Sequence, residues 1–166
     1  QRAAAFILTA AMLTTLTAPA FAGTWYIENG DITVKAGDTE GTNKVKQGDS
    51  DFVKDEGDTI ITGTSNQNTV TIETEKKDDK VEVTLKDVNI DASSRNEAAV
   101  SVTGKGDTNI ELDGDNKLQS GSGHAGLEHN KTDTSGELTI QDNDKNGSLK
   151  AAGGQYGAGI GGAGAA

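Results

Sequence analysis

Apolar residues alternate with polar ones along most of this chain and almost nowhere follow a helical spacing. Ile32-Thr-Val34, Val70-Thr-Ile72, Val81-Glu-Val83-Thr-Leu85, Val100-Ser-Val102, Ile110-Glu-Leu112 and Leu138-Thr-Ile140 each put aliphatic side chains on one face. Thr, Glu or Ser occupy the other face, as a half-buried strand requires. Clusters of Gly, Asn, Asp and Ser separate the runs and mark turns. The pattern predicts an all-β chain of short strands.

The spacing of these runs indicates which kind. Val83-x-Leu85, Ile110-x-Leu112 and Leu138-x-Ile140 align at steps of 27 and 28 residues. One isolated apolar residue follows each (Ile90, Leu118, Leu149), and then a small-residue triplet: Ala98-Ala99-Val100, Ala125-Gly126-Leu127 and Ala158-Gly159-Ile160. Three apolar contacts in fixed order per 27 to 33 residues match one turn of a three-faced solenoid, each face adding one strand to a parallel stack. The expected fold is therefore a right-handed parallel β-helix over residues 58–166. An antiparallel β-sandwich is the alternative, since its turn signals also recur at short intervals.

Residues 23–57 fit the repeat poorly. Trp25, Tyr26, Ile27 and Phe52 lie there, and the segment reads as an N-terminal cap with lead-in strands over one end of the apolar column. At the other end, Gly157 to Ala166 stops on a small-residue corner without polar or aromatic cover. Further coils are expected beyond it, and end-to-end self-association of this stretch without them.

Composition adds a compartment. Residues 1–22, QRAAAFILTAAMLTTLTAPAFA, join Arg2, an apolar stretch to Leu16, Pro19 and Ala20-Phe21-Ala22. That order is the pattern of a secretory signal peptide cleaved after Ala22, with an apolar core too short to span a bilayer. No membrane insertion is expected after cleavage, and the localisation expected is secreted or cell-surface. The absence of cysteine excludes disulfides, thiolate metal sites and cysteine nucleophiles, which suits a bacterial surface protein better than a disulfide-stapled module. A net charge of −11 argues against nucleic acid as partner, because phosphate backbones are held by Lys and Arg. It argues equally against anionic membrane surfaces.

The runs Val83-Thr-Leu85-Lys-Asp-Val88-Asn-Ile90, Gly121-Ser-Gly123-His124-Ala-Gly126-Leu127-Glu128 and Gly157-Ala-Gly159-Ile160-Gly-Gly162 resemble glycine-rich repeats of large bacterial cell-surface proteins. Those repeats are similar to the carbohydrate-binding β-helix domains of cellulolytic and gut bacteria. Over roughly residues 58–162, the resemblance implies a β-helix and a glycan partner, and it maps no sugar-contacting residue onto this chain.

Candidate chemistry is sparse. Asp142-x-Asp144-x-Asn146-Gly147 copies the first half of a calcium loop, but Gly153 stands where the bidentate acid belongs, so a solvated turn is the simpler reading. Asp113-Gly-Asp115-Asn116 is a weaker copy and reads as a plain turn. His124 and His129 have opposite parity, so on an extended strand they point to opposite faces and make a poor zinc pair. Arg95 is the only arginine after Arg2 and has no second basic residue nearby in sequence, which leaves a calcium-dependent polysaccharide lyase poorly supplied. Tyr156, in Gly153-Gly-Gln-Tyr156-Gly, is the one aromatic after residue 22 that lies outside the expected cap, and it is a candidate sugar platform.

These readings combine into a non-catalytic surface module for adhesion or glycan binding, with a glycan, extracellular matrix or host surface as partner. No cofactor is required, and calcium is an optional ion. A structural stalk in a larger surface protein is the runner-up.

Overall fold

The computed structural model describes residues 23–165, so the signal peptide expected over residues 1–22 lies outside the described residues. The chain runs β1 (Thr24–Tyr26), a 3-10 turn (Ile27–Asn29), β2 (Ile32–Ala36), β3 (Thr42–Gln47), β4 (Val53–Glu56), β5 (Thr59–Ser65), β6 (Val70–Thr74) and β7 (Lys80–Asp91). It continues with β8 (Val100–Gly104), β9 (Asp107–Gln119), β10 (Leu127–Glu128), β11 (Leu138–Gln141), β12 (Gly147–Ala152) and β13 (Ile160–Gly161). The described residues are all β apart from that one 3-10 turn, as the alternating pattern predicts.

Two sheets share the core. One has the order β1-β5-β7-β9-β11, with β12 on the second half of β9, and every ladder in it is parallel. The other has the order β13-β10-β8-β6-β2-β3-β4, parallel from β13 to β2 and antiparallel across β2-β3-β4. Neither sheet closes on itself. An antiparallel sandwich would pair neighbouring strands antiparallel, whereas here only the β2-β3-β4 ladders do so; two sheets facing one core is the arrangement the two architectures have in common.

The parallel registers stack like on like. Ile32, Val70, Val100, Leu127 and Ile160 form one column; Val34, Ile72 and Val102 form a second. Across the other sheet, Val83, Ile110 and Ile140 are in register, as are Ile61, Leu85 and Leu112. Nearly all of these side chains are buried. Strand spacing of about 4.8 Å brings each aliphatic group onto the one beneath it, which is how a chain this poor in apolar residues still forms a dry core.

The steps Val83 to Ile110 and Val100 to Leu127 to Ile160 agree with the spacing read from the sequence. The last coil departs from it. Leu138 pairs with Thr108 and Ile140 with Ile110, two residues off the expected alignment with Ile110 and Leu112. Leu149 sits on Asn116, and it is Ala151 that sits on Leu118. The offset is in place from the first pair of β11, and the chain then spends six residues from Gln141 to Gly147 where β9 spends three from Glu111 to Gly114. At the same corner Gly63, Asp87 and Gly114 adopt positive φ, and the register slips in the β5–β7 and β7–β9 ladders. Asp87, at φ 49°, tolerates this left-handed turn because its Oδ1 accepts from the Asp115 amide at 2.9 Å. Asn116, 1% exposed, fills the next corner position from inside.

Stacking also reaches residues the repeat did not cover, because β1 and β2 already lie parallel to β5 and β6. The β3–β4 hairpin inserted after β2 lengthens this first layer and disguises its period. Of the residues expected to cover that end, Ile27 is buried and Trp25 packs against the core, while Tyr26 and Phe52 stay half-exposed.

A candidate polar groove on the mixed sheet

Four strands of the mixed sheet, β2, β6, β8 and β10, place a polar residue directly after their first core residue. Thr33, Thr71, Ser101 and Glu128 follow Ile32, Val70, Val100 and Leu127, and the parallel register sets them side by side on the outer face. Together they form the floor of an open groove of about 390 Å³. Its side is made by residues just upstream of those strands: Asp31, Thr69, Arg95, Glu97, Ala98 and His124.

The charged residues are held by mutual bonds. Arg95 Nη2 lies 2.8 Å from Glu97, and its Nη1 lies 3.5 Å from Asp31 Oδ1 and donates to the Gln67 carbonyl. The Thr69 amide donates to the same Asp31 oxygen at 2.8 Å. Glu128 is buried, and its Oε2 accepts from the Ala125 amide at 3.1 Å and faces His124 Nδ1 at 2.8 Å. These contacts fix the side chains before any ligand arrives, so little rotamer entropy would be lost on binding. Three carboxylates against one guanidinium and one imidazole disfavour an anionic ligand and suit a neutral, hydroxyl-rich one. The carboxylates accept from hydroxyls, Arg95 and His124 donate, and Thr33, Thr71 and Ser101 do either.

His124 is the second basic partner that Arg95 lacks in the linear sequence. One coil of stacking brings them to the same groove. His129 goes elsewhere, its Nδ1 and Nε2 each 3.0 Å from the carbonyls of Val102 and Gly136. Thr33, Thr71 and Ser101 escaped sequence reasoning because single hydroxyls on alternating strands are ubiquitous. Their recurrence one place after each aligned core residue was the available signal.

The other candidates lie apart from this groove. Asp142 holds its own turn: its Oδ1 accepts from the Asn146 amide at 3.1 Å and its Oδ2 from the Gly147 amide at 3.2 Å. Asn143 is clamped by Glu111, at 2.6 Å from its backbone and 2.9 Å from its side chain. Asp144 and Asn146 remain exposed. Among the described residues, no three His, Asp or Glu side chains converge as a metal site would need. Tyr156 is 67% exposed, at φ 67° in the turn before β13, and does not line the groove.

On the other sheet, Asp58, Glu82, Asn109, Glu111 and Asp144 line a second concavity of about 380 Å³. Burial raises the Glu82 carboxyl above its ordinary value, and a hydrogen bond with Asp58 adds to the rise. A larger basin of about 890 Å³ separates the β2–β3 and β6–β7 turns. Phe52 lies at its side with Lys35 Nζ 5.2 Å from the ring centroid.

No protein-family model, curated protein or solved structure matches the chain.

Proposed function

We propose that this chain is an exported, surface-located right-handed parallel β-helix that binds a neutral glycan along the groove of its mixed sheet, without catalysis. The solenoid reading is supported by the parallel ladders, the repeated residue columns and the near-universal right-handedness of parallel crossovers. The single observation behind the binding reading is the in-register row Thr33, Thr71, Ser101 and Glu128, flanked by a pre-ordered Arg95 and His124. A row that repeats at the strand spacing of about 4.8 Å offers equivalent hydroxyl partners at intervals comparable to one pyranose unit, so an oligosaccharide would lie across the strands. Weak, repeated contacts of this kind suit adhesion to glycan-coated matrix or host surfaces.

A glycan array with and without calcium tests the reading. Retention of neutral linear oligosaccharides is expected, weakened at least tenfold by Thr71→Tyr, which fills the groove. That variant should melt within about 2 °C of the parent, because position 71 faces outward. No retention of any glycan would remove the binding reading and leave the structural stalk. Retention of uronic-acid polymers with release of unsaturated product would favour the lyase.

A further inference from the structure

Asp55 is 1% exposed, and its carboxylate is held by neutral donors alone. Its Oδ1 accepts from the Gly23 nitrogen at 2.5 Å, and its Oδ2 from Trp25 Nε1 at 2.9 Å and Thr59 Oγ1 at 3.0 Å. Among the described residues, no Lys, Arg or His lies within ion-pair distance of it. A buried carboxylate without a counter-charge is costly, and folded chains pair such groups. The nitrogen nearest to it belongs to the residue that immediately follows Ala20-Phe21-Ala22.

We infer that hydrolysis of the Ala22–Gly23 bond supplies the missing cation, the new α-ammonium of Gly23 forming a buried ion pair with Asp55. Water adds across the amide under an export peptidase that reads small-x-small sites. Ala22 leaves with the new carboxylate, and the Gly23 nitrogen takes up the protons. Position 23 is built for this. Its carbonyl accepts from the Ile60 amide at 3.0 Å, which fixes the residue ahead of β1. A Cβ there would stand 2.8 Å from Trp25 Nε1, so only glycine lets the nitrogen come so near the carboxylate without moving the indole. Asp55 reaches it from β4, and Thr59 relays the contact to Asn43 Nδ2 at 2.8 Å. The pair thereby ties β1, β3, β4 and β5 together. Processing is then a stabilising step as well as the removal of a leader.

This inference rests on the export reading, and its test separates the two. Intact mass of the product secreted from cells expressing the full chain should show Gly23 as first residue. A secreted product with another start would overturn the ion pair and leave export standing, whereas an uncleaved chain kept inside the cells would overturn both. The purified Gly23 form is next compared with one carrying a single extra Ala before Gly23. The extension should lower the melting midpoint by about 3–8 °C, because the ammonium is carried away from Asp55. In an Asp55→Asn background the same extension should cost less than about 2 °C. Should Asp55→Asn fail to fold, acylation of the Gly23 amine is read instead: it should be at least tenfold slower in the folded chain than in urea. Equal midpoints for the two forms, or an amine acylated as fast folded as unfolded, would overturn the ion pair while leaving export intact.

Discussion

Asn116 is the polar residue on which the stacked corner depends most. It is 1% exposed, and its Oδ1 accepts from the Val88 amide of the preceding coil at 2.9 Å. Its Nδ2 donates at 3.2 Å both to Asp113 O and to Ser148 O of the following coil. Asn116→Ala takes away the acceptor of Val88 N–H and the donor shared by the Asp113 and Ser148 carbonyls, and leaves a small void in their place. Each buried orphan costs about 1–3 kcal/mol, so the expected loss is about 3 kcal/mol, or about 10 °C in Tm for a chain of this size. Asn116→Asp keeps the acceptor for Val88 but turns the donor into a buried anion against two carbonyl oxygens, and should cost at least as much. Urea and thermal melts of the Gly23–Ala166 chain, followed by far-ultraviolet circular dichroism, measure both. A loss under about 1 kcal/mol for Asn116→Ala would show that water enters the corner and replaces the amide, and the argument from orphaned groups would fail.

Three further outcomes follow from the same physical reasoning. Thr108 Oγ1 is buried without a partner between Val81 and Leu138, so Thr108→Val should raise stability by about 1 kcal/mol in urea melts; a loss would mean that the hydroxyl has a partner after all. The raised Glu82 carboxyl means that the folded chain holds that proton more tightly than the unfolded one. Its stabilising contribution is complete below the ordinary carboxylate value of 4.5 and is lost as pH rises through the raised value. Glu82→Gln should therefore flatten the fall in Tm as pH rises above the ordinary carboxylate value and raise the neutral midpoint by about 1–2 °C, the small size reflecting solvent screening; parallel pH curves would contradict this. Millimolar calcium at matched ionic strength should raise Tm by a degree or two over chelator, because the net charge is −11 and cations relieve self-repulsion. Asp144→Ala should keep that increment; its disappearance would assign a bound ion to the 142–146 turn.

Where aliphatic residues recur in register, the fold could be read from the sequence. Val83 with Ile110, and Val100 with Leu127 and Ile160, stack at the spacing their positions suggest. The last coil could not be read this way, because a polar residue, Asn116, takes a core corner that an apolar search skips, and Leu149 stacks on it. The first layer was hidden for the opposite reason: Ile32 and Val70 are stacking partners 38 residues apart, separated by a hairpin that breaks the period. The groove was the least legible part. Arg95 and His124 drew attention separately, but their proximity arises only once the strands are stacked, and each short hydroxyl of the floor carries no signal until the core residues before it are aligned.

The β2-β3-β4 meander bears on how the molecule assembles. It joins residues 7 to 15 apart in the chain, whereas the parallel ladders join residues 24 to 38 apart. Closing the shorter loops costs less entropy, so this meander is the element able to form before any coil has a neighbour. It then offers the free edge of β2 as a template for β6, and each completed layer does the same for the next. Assembly thus has a direction, from the N-terminal layer outward. Substitutions in Val34 or Val45 should slow refolding, and substitutions in Leu127 should mainly speed unfolding; the reverse pattern in stopped-flow kinetics would place the nucleus elsewhere.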